Sequence, residues 1–251
     1  MQYTHKKHLG QHFLKDENIC RKIVEQLKPG TFKNLLEVGP GAGAITKYLV
    51  QLPGVNFKAV ELDAEKVEYL LHSYPQLNDK IIHKSFLEIE APFGEEFTVI
   101  GNFPYNISSQ ILFKILEWKQ QVPEVIGMFQ KEVAQRIASK PGSKAYGILS
   151  VLVQAYYEVE YLFDVSENCF IPPPKVKSGV IRLQRLVDPV TAASDAKFFQ
   201  LVKLAFNQRR KMLRNGLRSV FPEDELKDEI FSKRAEQLSV NDFAQLTFRM
   251  K

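Results

Sequence analysis

The segment EVGPGAGAIT, residues 37–46, limits the fold of this chain more than any other stretch. The apolar run Asn34–Val38 leads directly into it and predicts a strand, and Thr46–Gln51 continues from it with the pattern of a helix. Its alternating glycines, beginning with Gly39 and Gly41, let a ligand approach the backbone closely, and the start of the helix exposes unpaired N–H groups. The segment therefore predicts a strand–turn–helix unit that binds a ligand. The alternative is a sharp turn that binds nothing.

Short apolar runs alternate with helical patterns over the first three quarters of the chain, which is typical of βαβ units and a mostly parallel sheet. We predict seven strands, at Asn34–Val38, Asn56–Glu61, Lys80–His83, Phe97–Gly101, Glu124–Phe129, Tyr157–Val165 and Lys177–Leu186. The predicted helices include Ile19–Leu27, before the first strand, and Ala64–Ser73, after the second. Because only a loop joins the last two strands, we expect them to pair antiparallel at the sheet edge. The fold class is α/β.

The character of the sequence changes at about Asp188. The segment VDPVTAASDA is typical of a linker, and the residues after it show amphipathic helical patterns without a strand. We therefore predict two domains, a larger one over residues 1–188 that contains the sheet and a small α-helical one over residues 189–251.

Composition favours an anionic partner and a cytoplasmic location. The chain has 34 Lys and Arg against 29 Asp and Glu, a formal net charge of +5. Its N-terminal stretch lacks the apolar core of a signal peptide, and no run approaches the roughly 18 apolar residues of a membrane span. Cys20 and Cys169 lie far apart without a CxxC pair, which indicates neither a disulfide framework nor a zinc site.

Three histidines near the N-terminus have a spacing that could ligate a metal on a helix. They are His5, His8 and His12. Gly10 and the lack of an apolar helical stripe argue against a helix there, so we predict no metal site.

An acidic residue at the end of the second predicted strand indicates an adenosine-type cofactor. Glu61 follows Gly41 by twenty residues, where a carboxylate can accept hydrogen bonds from two ribose hydroxyls. The G-x-G-x-G spacing and Pro40, which lacks an N–H, count against a dinucleotide. Because ligands bind at the carboxyl ends of such strands, we expect Ser85 and Asn102 to face the same crevice. The alternative for Glu61 is a solvated charge.

The stretch NFPY, residues 102–105, follows the fourth strand and suits methyl transfer to an exocyclic amine such as N6 of adenine. The lone pair of that nitrogen is delocalised into the ring. If the Asn102 amide oxygen and the Pro104 carbonyl each accept one N–H, the lone pair turns towards the methyl donor, S-adenosylmethionine. Tyr105 can stack on the base, which is worth about 1–3 kcal/mol. The alternative is a plain turn closed by the proline.

A basic segment predicts contact with phosphates. We expect Phe206–Val220 to form a helix, and it carries five cations, Arg209, Arg210, Lys211, Arg214 and Arg218, and no acid. Arg and Lys on such a surface neutralise RNA phosphates and make affinity salt-dependent. The alternative is an ordinary solvated helix face.

Eight segments in register resemble the ribosomal RNA adenine dimethyltransferase family, most closely its small-subunit (16S) members. They are GQHFL, LEVGPGAGAIT, VELD, GNFPYNISS, QKEVAQRI, SKAYGILSV, FIPPPKVKSGVIRL and AFNQRRKMLRN. The resemblance implies a Rossmann-like class I methyltransferase with a C-terminal helical RNA-binding domain. The implied reaction transfers two methyl groups from S-adenosylmethionine to N6 of each of two adjacent adenosines in the 3′-terminal hairpin loop of small-subunit rRNA. The implied context is late assembly of the 30S particle, with the protein acting as a monomer away from membranes.

The resemblance also assigns roles to residues. The cofactor would be held by His12, Leu14, Gly39, Gly41, Glu61, Ser85 and Asn102. The target adenine would meet Asn102, Pro104, Tyr105 and, as a second aromatic wall, Phe170. RNA would be contacted by Arg209, Arg210, Lys211 and Arg214.

Two positions depart from the family pattern. Many relatives have an acidic residue where Ser85 stands, and a neutral serine accepts a hydrogen bond from the cofactor adenine more weakly. Many carry Asn where this chain has His12. Both changes put cofactor affinity in question. Phe103 is also notable, because families that methylate adenine once often have proline there, and we hypothesise that an apolar side chain shapes room for a second methyl.

Other functions remain open on the sequence. One is a large-subunit rRNA adenine methyltransferase of the macrolide-resistance type, and another is a non-catalytic RNA-binding assembly factor. An NAD dehydrogenase fits less well, because the spacing of the glycine turn is wrong.

Overall fold

The computed structural model describes residues 12–28 and 30–251, so His5, His8 and Gly10 lie outside the described residues. Within that part, the chain forms two compact units. One contains the residues up to Ala134 together with Glu160–Arg185, and the other contains Gln135–Val159 with Leu186–Lys251. The second unit thus adds an internal segment to the C-terminal residues, and the domain boundary at residue 188 stays a prediction.

A mostly parallel sheet is the framework of the fold. The strands of the described residues are β1 (Phe13–Leu14), β2 (Asn34–Val38), β3 (Asn56–Glu61), β4 (Ile81–His83), β5 (Thr98–Asn102), β6 (Glu124–Gln130), β7 (Tyr157–Val165), β8 (Phe170–Ile171) and β9 (Ser178–Arg185). Seven of them form one sheet in the order β4-β3-β2-β5-β6-β9-β7. Pairing is parallel from β4 to β6, and β9 runs antiparallel to β6. The predicted seven-stranded sheet is confirmed, with strand ends within one residue of the predicted ends.

Burial explains why these runs form strands. Every residue of β2 is buried, as is typical of a parallel strand covered on both faces. The order of the strands reverses at β2, which has β3 on one side and β5 on the other. Such a switch point leaves a crevice at the carboxyl ends of the strands, where α/β sheets bind their ligands.

Helices connect the strands of the sheet and make up much of the second unit. Those of the described residues are α1 (Glu17–Val24), α2 (Thr46–Leu49), α3 (Ala64–Ser73), α4 (Ser108–Glu117), α5 (Lys131–Ile137), α6 (Ile148–Gln154), α7 (Asp195–Asn207), α8 (Leu213–Gly216) and α9 (Val240–Leu246). Helix α1 begins two residues before its predicted start, because the Asp16 carboxylate accepts hydrogen bonds from the N–H groups of Asn18 and Ile19. None of these helices has the length and apolar character needed to cross a bilayer.

A second, two-stranded sheet joins β1 to β8. Phe13 pairs with Ile171, and Leu14 pairs with Phe170, in antiparallel register. The N–H of Lys15 extends the pairing by donating to the Cys169 carbonyl at 2.8 Å. This sheet ties the segment before α1 to the loop between β7 and β9.

The predicted helix over Phe206–Val220 is wrong. Helix α7 ends at Asn207, and between that residue and Val220 only Leu213–Gly216 is α-helical. The backbone at Met212 is extended and forms an antiparallel bridge with Arg234, while the Leu213 N–H donates to the Lys233 carbonyl at 2.9 Å. Pairing with this distant segment therefore replaces the helical hydrogen bonds that the local pattern predicted.

Candidate active site

A cavity of about 220 Å³ lies at the carboxyl ends of β2, β3, β4 and β5. Its wall includes Gly39 after β2, Glu61 at the end of β3, Ser85 after β4 and Asn102 at the end of β5. The cavity is also lined by His12, Leu14, Gly41, Pro104 and Tyr105. The structure thus brings together every residue that the sequence assigned to the cofactor, and three of the four assigned to the base.

Glu61 fixes the glycine turn to the end of β3. Its Oε2 accepts a hydrogen bond from the Gly41 N–H at 3.0 Å, and its Oε1 accepts from the N–H groups of Leu62 and Asp63, each at 2.9 Å. The side chain is 8% exposed, so it is not a solvated charge. Burial raises the pKa of Glu61, and the three backbone donors oppose that rise. Since a carboxylate has about four acceptor sites, Oε2 keeps one for a ligand hydroxyl.

The glycine turn packs against two neighbouring segments. Gly41 has φ +55°, and a Cβ there would lie 2.9 Å from Cε1 of Phe13 on β1. Gly39 has φ +69°, and Cδ of Pro104 lies 3.7 Å from the position its Cβ would take. A side chain at either position is strained by the backbone, and at Gly41 it would also collide with the Phe13 ring. Gly39 therefore serves the backbone conformation of the turn, and Gly41 serves both its conformation and its packing.

The Asn102 side chain is oriented by the segment that leads into β1. Its Nδ2 donates to the His12 carbonyl at 3.0 Å. This hydrogen bond commits the amide nitrogen, and the carbonyl oxygen Oδ1 remains as the acceptor. Since the amide has a defined donor end, its acceptor end is defined as well.

The Pro104 carbonyl is the second acceptor of the predicted pair. It already accepts the Ile107 N–H at 3.2 Å. A carbonyl oxygen has two lone pairs, so one remains for the amine of a bound base.

Tyr105 is held at its hydroxyl and on one face of its ring. The hydroxyl shares a hydrogen bond of 2.5 Å with Ser178 Oγ, and burial raises the pKa of Tyr105, so the phenol stays protonated. The His12 ring stacks on Tyr105 with centroids 5.5 Å apart and an interplanar angle of 27°. His12 Nδ1 is itself 2.9 Å from the Pro172 carbonyl. A planar base therefore has the opposite face of Tyr105 for stacking.

The remaining predicted site residues occupy less direct positions. Ser85 Oγ accepts the Leu87 N–H at 3.3 Å and starts a single helical turn, Phe86–Glu88, while its residue lines the cavity. Leu14 is 5% exposed, and Phe170 is 1% exposed within the hydrophobic core. Phe170 is not among the residues that line the cavity, so its role as a wall for the base stays a prediction.

Two residues with clear positions in the site carried no predicted role. Ser178 lies in the segment FIPPPKVKSGVIRL that the resemblance covers, but only the structure reveals its bond to Tyr105. Glu37 looks like an ordinary strand residue in sequence. It is 2% exposed, lines the cavity, and its Oε2 has no hydrogen-bond partner among the described residues.

Burial raises the pKa of Glu37 to about 8, and the nearby Glu61 carboxylate adds to the rise. The nearby Thr46 side chain opposes this rise in the Glu37 pKa. A buried carboxylate that lines a cavity in this way is suited to a cationic group of a ligand.

Glu37 should make stability depend on pH. Because its pKa of about 8 in the folded protein exceeds the ordinary value of 4.5, its stabilising contribution is complete below pH 4.5 and is lost as pH rises to about 8. Each unit of such a difference is worth about 1.4 kcal/mol. We expect Glu37→Gln to flatten this slope, so that the variant gains stability relative to the parent as pH rises. Urea unfolding between pH 5 and 8 measures it, with the exposed Glu68→Gln as control, and parallel curves for parent and variant would contradict it.

The four predicted RNA-binding cations lie in the second unit and differ in availability. Arg209 Nη2 donates to the Lys144 carbonyl at 2.5 Å, and its Nε lies 3.7 Å from the Glu236 carboxylate. Arg214 is half-buried, and its Nε has no hydrogen-bond partner within the described ranges. Arg210 and Lys211 are exposed. Arg209 therefore stabilises the loop that contains Lys144. Of the four cations, Arg210 and Lys211 are the most accessible to a ligand.

Metal ligation is not indicated by the described residues. No group of three His, Cys, Asp or Glu side chains in residues 12–28 and 30–251 is placed to hold an ion.

Solved structures define the class to which this fold belongs. A crystal structure of a dimethyladenosine transferase from Plasmodium falciparum superposes with a TM-score of 0.77 at 23% identity, covering 94% of this chain and 96% of that one. The 23S rRNA methyltransferase ErmE superposes with a TM-score of 0.68 at 24% identity, covering 93% and 99%. The chain has the fold of the Rossmann-like class I methyltransferases.

Within that class, the sequence comparison gives a narrower placement. The chain belongs to the ribosomal RNA adenine dimethylase family, whose model matches residues 2–250. It is 54% identical over 250 residues to the ribosomal RNA small subunit methyltransferase A of Flavobacterium johnsoniae, covering 98% of this chain and 95% of that protein. The protein of the same name from Porphyromonas gingivalis is 46% identical over 257 residues, covering 100% and 99%. The resemblance predicted from the eight segments is confirmed.

Proposed function

We propose that this chain uses S-adenosylmethionine to methylate N6 of two adjacent adenosines in the 3′-terminal hairpin loop of small-subunit (16S) rRNA, twice on each. The observation that carries the proposal is the orientation of Asn102. Its amide nitrogen is committed to the His12 carbonyl, so its oxygen is the acceptor beside the Pro104 carbonyl and Tyr105. Relatives with about half of their residues identical are named for methylation of the small-subunit rRNA.

The residues around the cavity fit S-adenosylmethionine, which supplies an electrophilic methyl group on a sulfonium. Glu61 keeps an acceptor site that suits a ribose hydroxyl. The partnerless carboxylate oxygen of Glu37 suits the ammonium of the methionine part. Ser85 lines the same cavity and suits the edge of the adenine.

The stretch Asn102–Tyr105, which we call the acceptor loop, catalyses the transfer by orienting the target amine. Asn102 Oδ1 and the Pro104 carbonyl each accept one N–H of the target amine, which turns its lone pair out of conjugation with the ring. Tyr105 stacks on the base from the face that His12 leaves open, a contact worth about 1–3 kcal/mol. Because the amine becomes acidic only after it is methylated, its proton can pass to water without a general base. Catalysis then rests on alignment and on polar groups arranged around the developing charge.

The setting of the reaction is part of the proposal. We place the protein in the cytoplasm as a monomer that acts on the assembling 30S particle. Residues 1–188 supply the methyltransferase domain and residues 189–251 an RNA-binding domain. The formal charge of +5 and the exposed Arg210 and Lys211 favour a phosphate-rich partner.

Exposed cations of the second unit should set the salt dependence of RNA affinity. We expect Arg210→Ala and Lys211→Ala each to reduce the slope of log affinity against log salt by about 1, because each removes one phosphate contact. Filter binding to a small-subunit 3′ hairpin between low and moderate salt measures the slope. Lys227→Ala is the matched control, since Lys227 pairs with Asp224 on an acidic stretch. An unchanged slope in both variants would overturn the assignment.

The function is tested by product mapping. Purified protein and labelled S-adenosylmethionine are incubated with small subunits that lack the modification and, in a parallel reaction, with large subunits, and the rRNA is digested and read by mass spectrometry. The expected product is a pair of adjacent dimethyladenosines near the 3′ end. Label on large-subunit rRNA instead would favour the macrolide-resistance type of enzyme, and binding without label would favour an assembly factor.

A further inference from the structure

Phe103, the residue between Asn102 and Pro104, has a fully buried side chain that packs against strand β6. It is 0% exposed, and its N–H donates to the Met128 carbonyl at 3.1 Å. Its ring meets the Phe129 ring edge to face, with centroids 5.1 Å apart and an interplanar angle of 78°. The ring of the acceptor loop is therefore anchored on the neighbouring strand β6.

Two glycines make the space that this ring occupies. Gly101 on β5 and Gly127 on β6 are paired in register. A Cβ at Gly127 would lie 2.7 Å from Cε2 of Phe103 and 2.6 Å from Cε2 of Phe129. A Cβ at Gly101 would lie 2.9 Å from Cε1 of Phe103 and 2.5 Å from the Val38 carbonyl. All four distances are far below normal contact, so any larger residue must displace its neighbours.

Neither glycine is needed for an unusual backbone conformation, because neither has a positive φ. At Gly101 the obstacle includes a main-chain oxygen of β2, so that glycine is needed for the sheet itself. At Gly127 the obstacles are aromatic side chains alone. A substitution at Gly127 would therefore displace the Phe103 ring without a collision with the main chain of the sheet.

We infer that Gly127 and Phe129 are positioning residues for methyl transfer, because they form a socket that holds Phe103 and thereby sets the Asn102 oxygen and the Pro104 carbonyl relative to the cavity. The inference rests on the proposed function and deepens it. Phe103 lies directly between the two acceptor groups in the chain, so a shift of its ring is passed to both. The hypothesis that Phe103 shapes room for a second methyl thereby becomes more specific. The Phe103 ring packs in the socket, so Phe103 would act on the second methyl transfer through the position of the two acceptor groups.

Displacement of the acceptor groups should harm the second methyl transfer more than the first. An unmodified amine offers two N–H groups to the two acceptors. A monomethylated amine offers one, so it has a single hydrogen bond with which to orient its lone pair. Misplacement of about 1 Å can cost up to about 100-fold in rate.

The test compares Gly127→Ala with Gly94→Ala. Gly94 has an ordinary φ and nothing within 4 Å of the position of a Cβ, so it is a matched control for the glycine-to-alanine change. For Gly127→Ala we expect kcat to fall about 10- to 100-fold, the ratio of monomethyl to dimethyl product to rise at least about fivefold, and the Kd for S-adenosylmethionine by calorimetry to stay within about twofold. Gly94→Ala should match the parent in all three.

The product ratio separates positioning from stability. A role in stability alone predicts a lower Tm with an unchanged product ratio, and that result overturns the inference.

A second variant covers the case in which Gly127→Ala does not fold. Phe129→Leu removes the backing ring without a collision, and we expect the same rise in the product ratio with an unchanged cofactor Kd. A parental product ratio in this variant overturns the inference as well. If the parent protein itself makes no dimethyladenosine on small subunits, the proposed function fails, and the two failures are thus distinct.

Discussion

Asn102→Ala should lower kcat for methylation of unmodified small subunits by about 100- to 1000-fold, with the Kd for S-adenosylmethionine within about threefold of the parent. The expected loss is large because the Asn102 oxygen is the acceptor end of an amide whose nitrogen is already committed to the His12 carbonyl at 3.0 Å. Removing it leaves the Pro104 carbonyl as the remaining acceptor of the pair. One N–H of the target amine then has no fixed partner when charge develops on nitrogen.

Rates of label transfer with saturating cofactor, together with calorimetry of cofactor binding, measure the effect of Asn102→Ala. Asn78→Ala is the matched control, because Asn78 is exposed and does not line the cavity. Turnover near that of the parent would contradict the assigned role of the amide. A similar loss of cofactor affinity would show that the main role of Asn102 is to bind the cofactor and not to orient the target base.

Glu61→Ala should weaken S-adenosylmethionine binding by about 100-fold or more and also destabilise the fold. The carboxylate accepts three backbone N–H groups, from Gly41, Leu62 and Asp63, so its loss leaves one buried and two partly buried donors without this partner. Each such donor costs about 1–3 kcal/mol, less where water can enter the site. A loss of about 3 kcal/mol in the free energy of unfolding is therefore expected in addition to the weaker binding.

Calorimetry and urea unfolding separate the two effects of Glu61→Ala. Glu61→Gln keeps an acceptor oxygen, so we expect it to recover stability more fully than cofactor affinity. Glu68→Ala on α3 carries the same charge change at an exposed position and should leave both unchanged. Parental affinity in Glu61→Ala would show that the carboxylate holds the turn and does not meet the cofactor.

The sequence predicted the sheet well because its signals are local. Each of the seven strands contains a short apolar or alternating pattern that local sequence can reveal. The last two strands are neighbours at one end of the sheet, as predicted, and their antiparallel direction stays a prediction. The chemistry at the strand ends was also readable, since Glu61, Ser85 and Asn102 follow directly on those runs. Parallel topology then brings their positions to one edge without further information.

The parts that the sequence did not predict depend on contacts between distant residues. Strands β1 and β8 have two residues each, too few for any periodicity, and they exist because they pair with each other. The Tyr105–Ser178 bond joins residues 73 positions apart. The basic segment after α7 has a helical pattern, yet the bridge from Met212 to Arg234 decides its conformation. The sequence did not predict a role for Glu37, because a single acidic residue near the end of an apolar strand is usually exposed to solvent.

The pairing of β1 with β8 implies an order of events during synthesis. His12, which orients Asn102, leaves the ribosome early, but the strand against which its neighbours pair is complete only at Ile171. Closing a loop of that length costs chain entropy before any contact repays it, and such non-local pairings form late. The acceptor amide is therefore set only after nearly the whole first unit has been translated. A nascent chain of this protein should hold a folded cofactor turn before it has a competent active site.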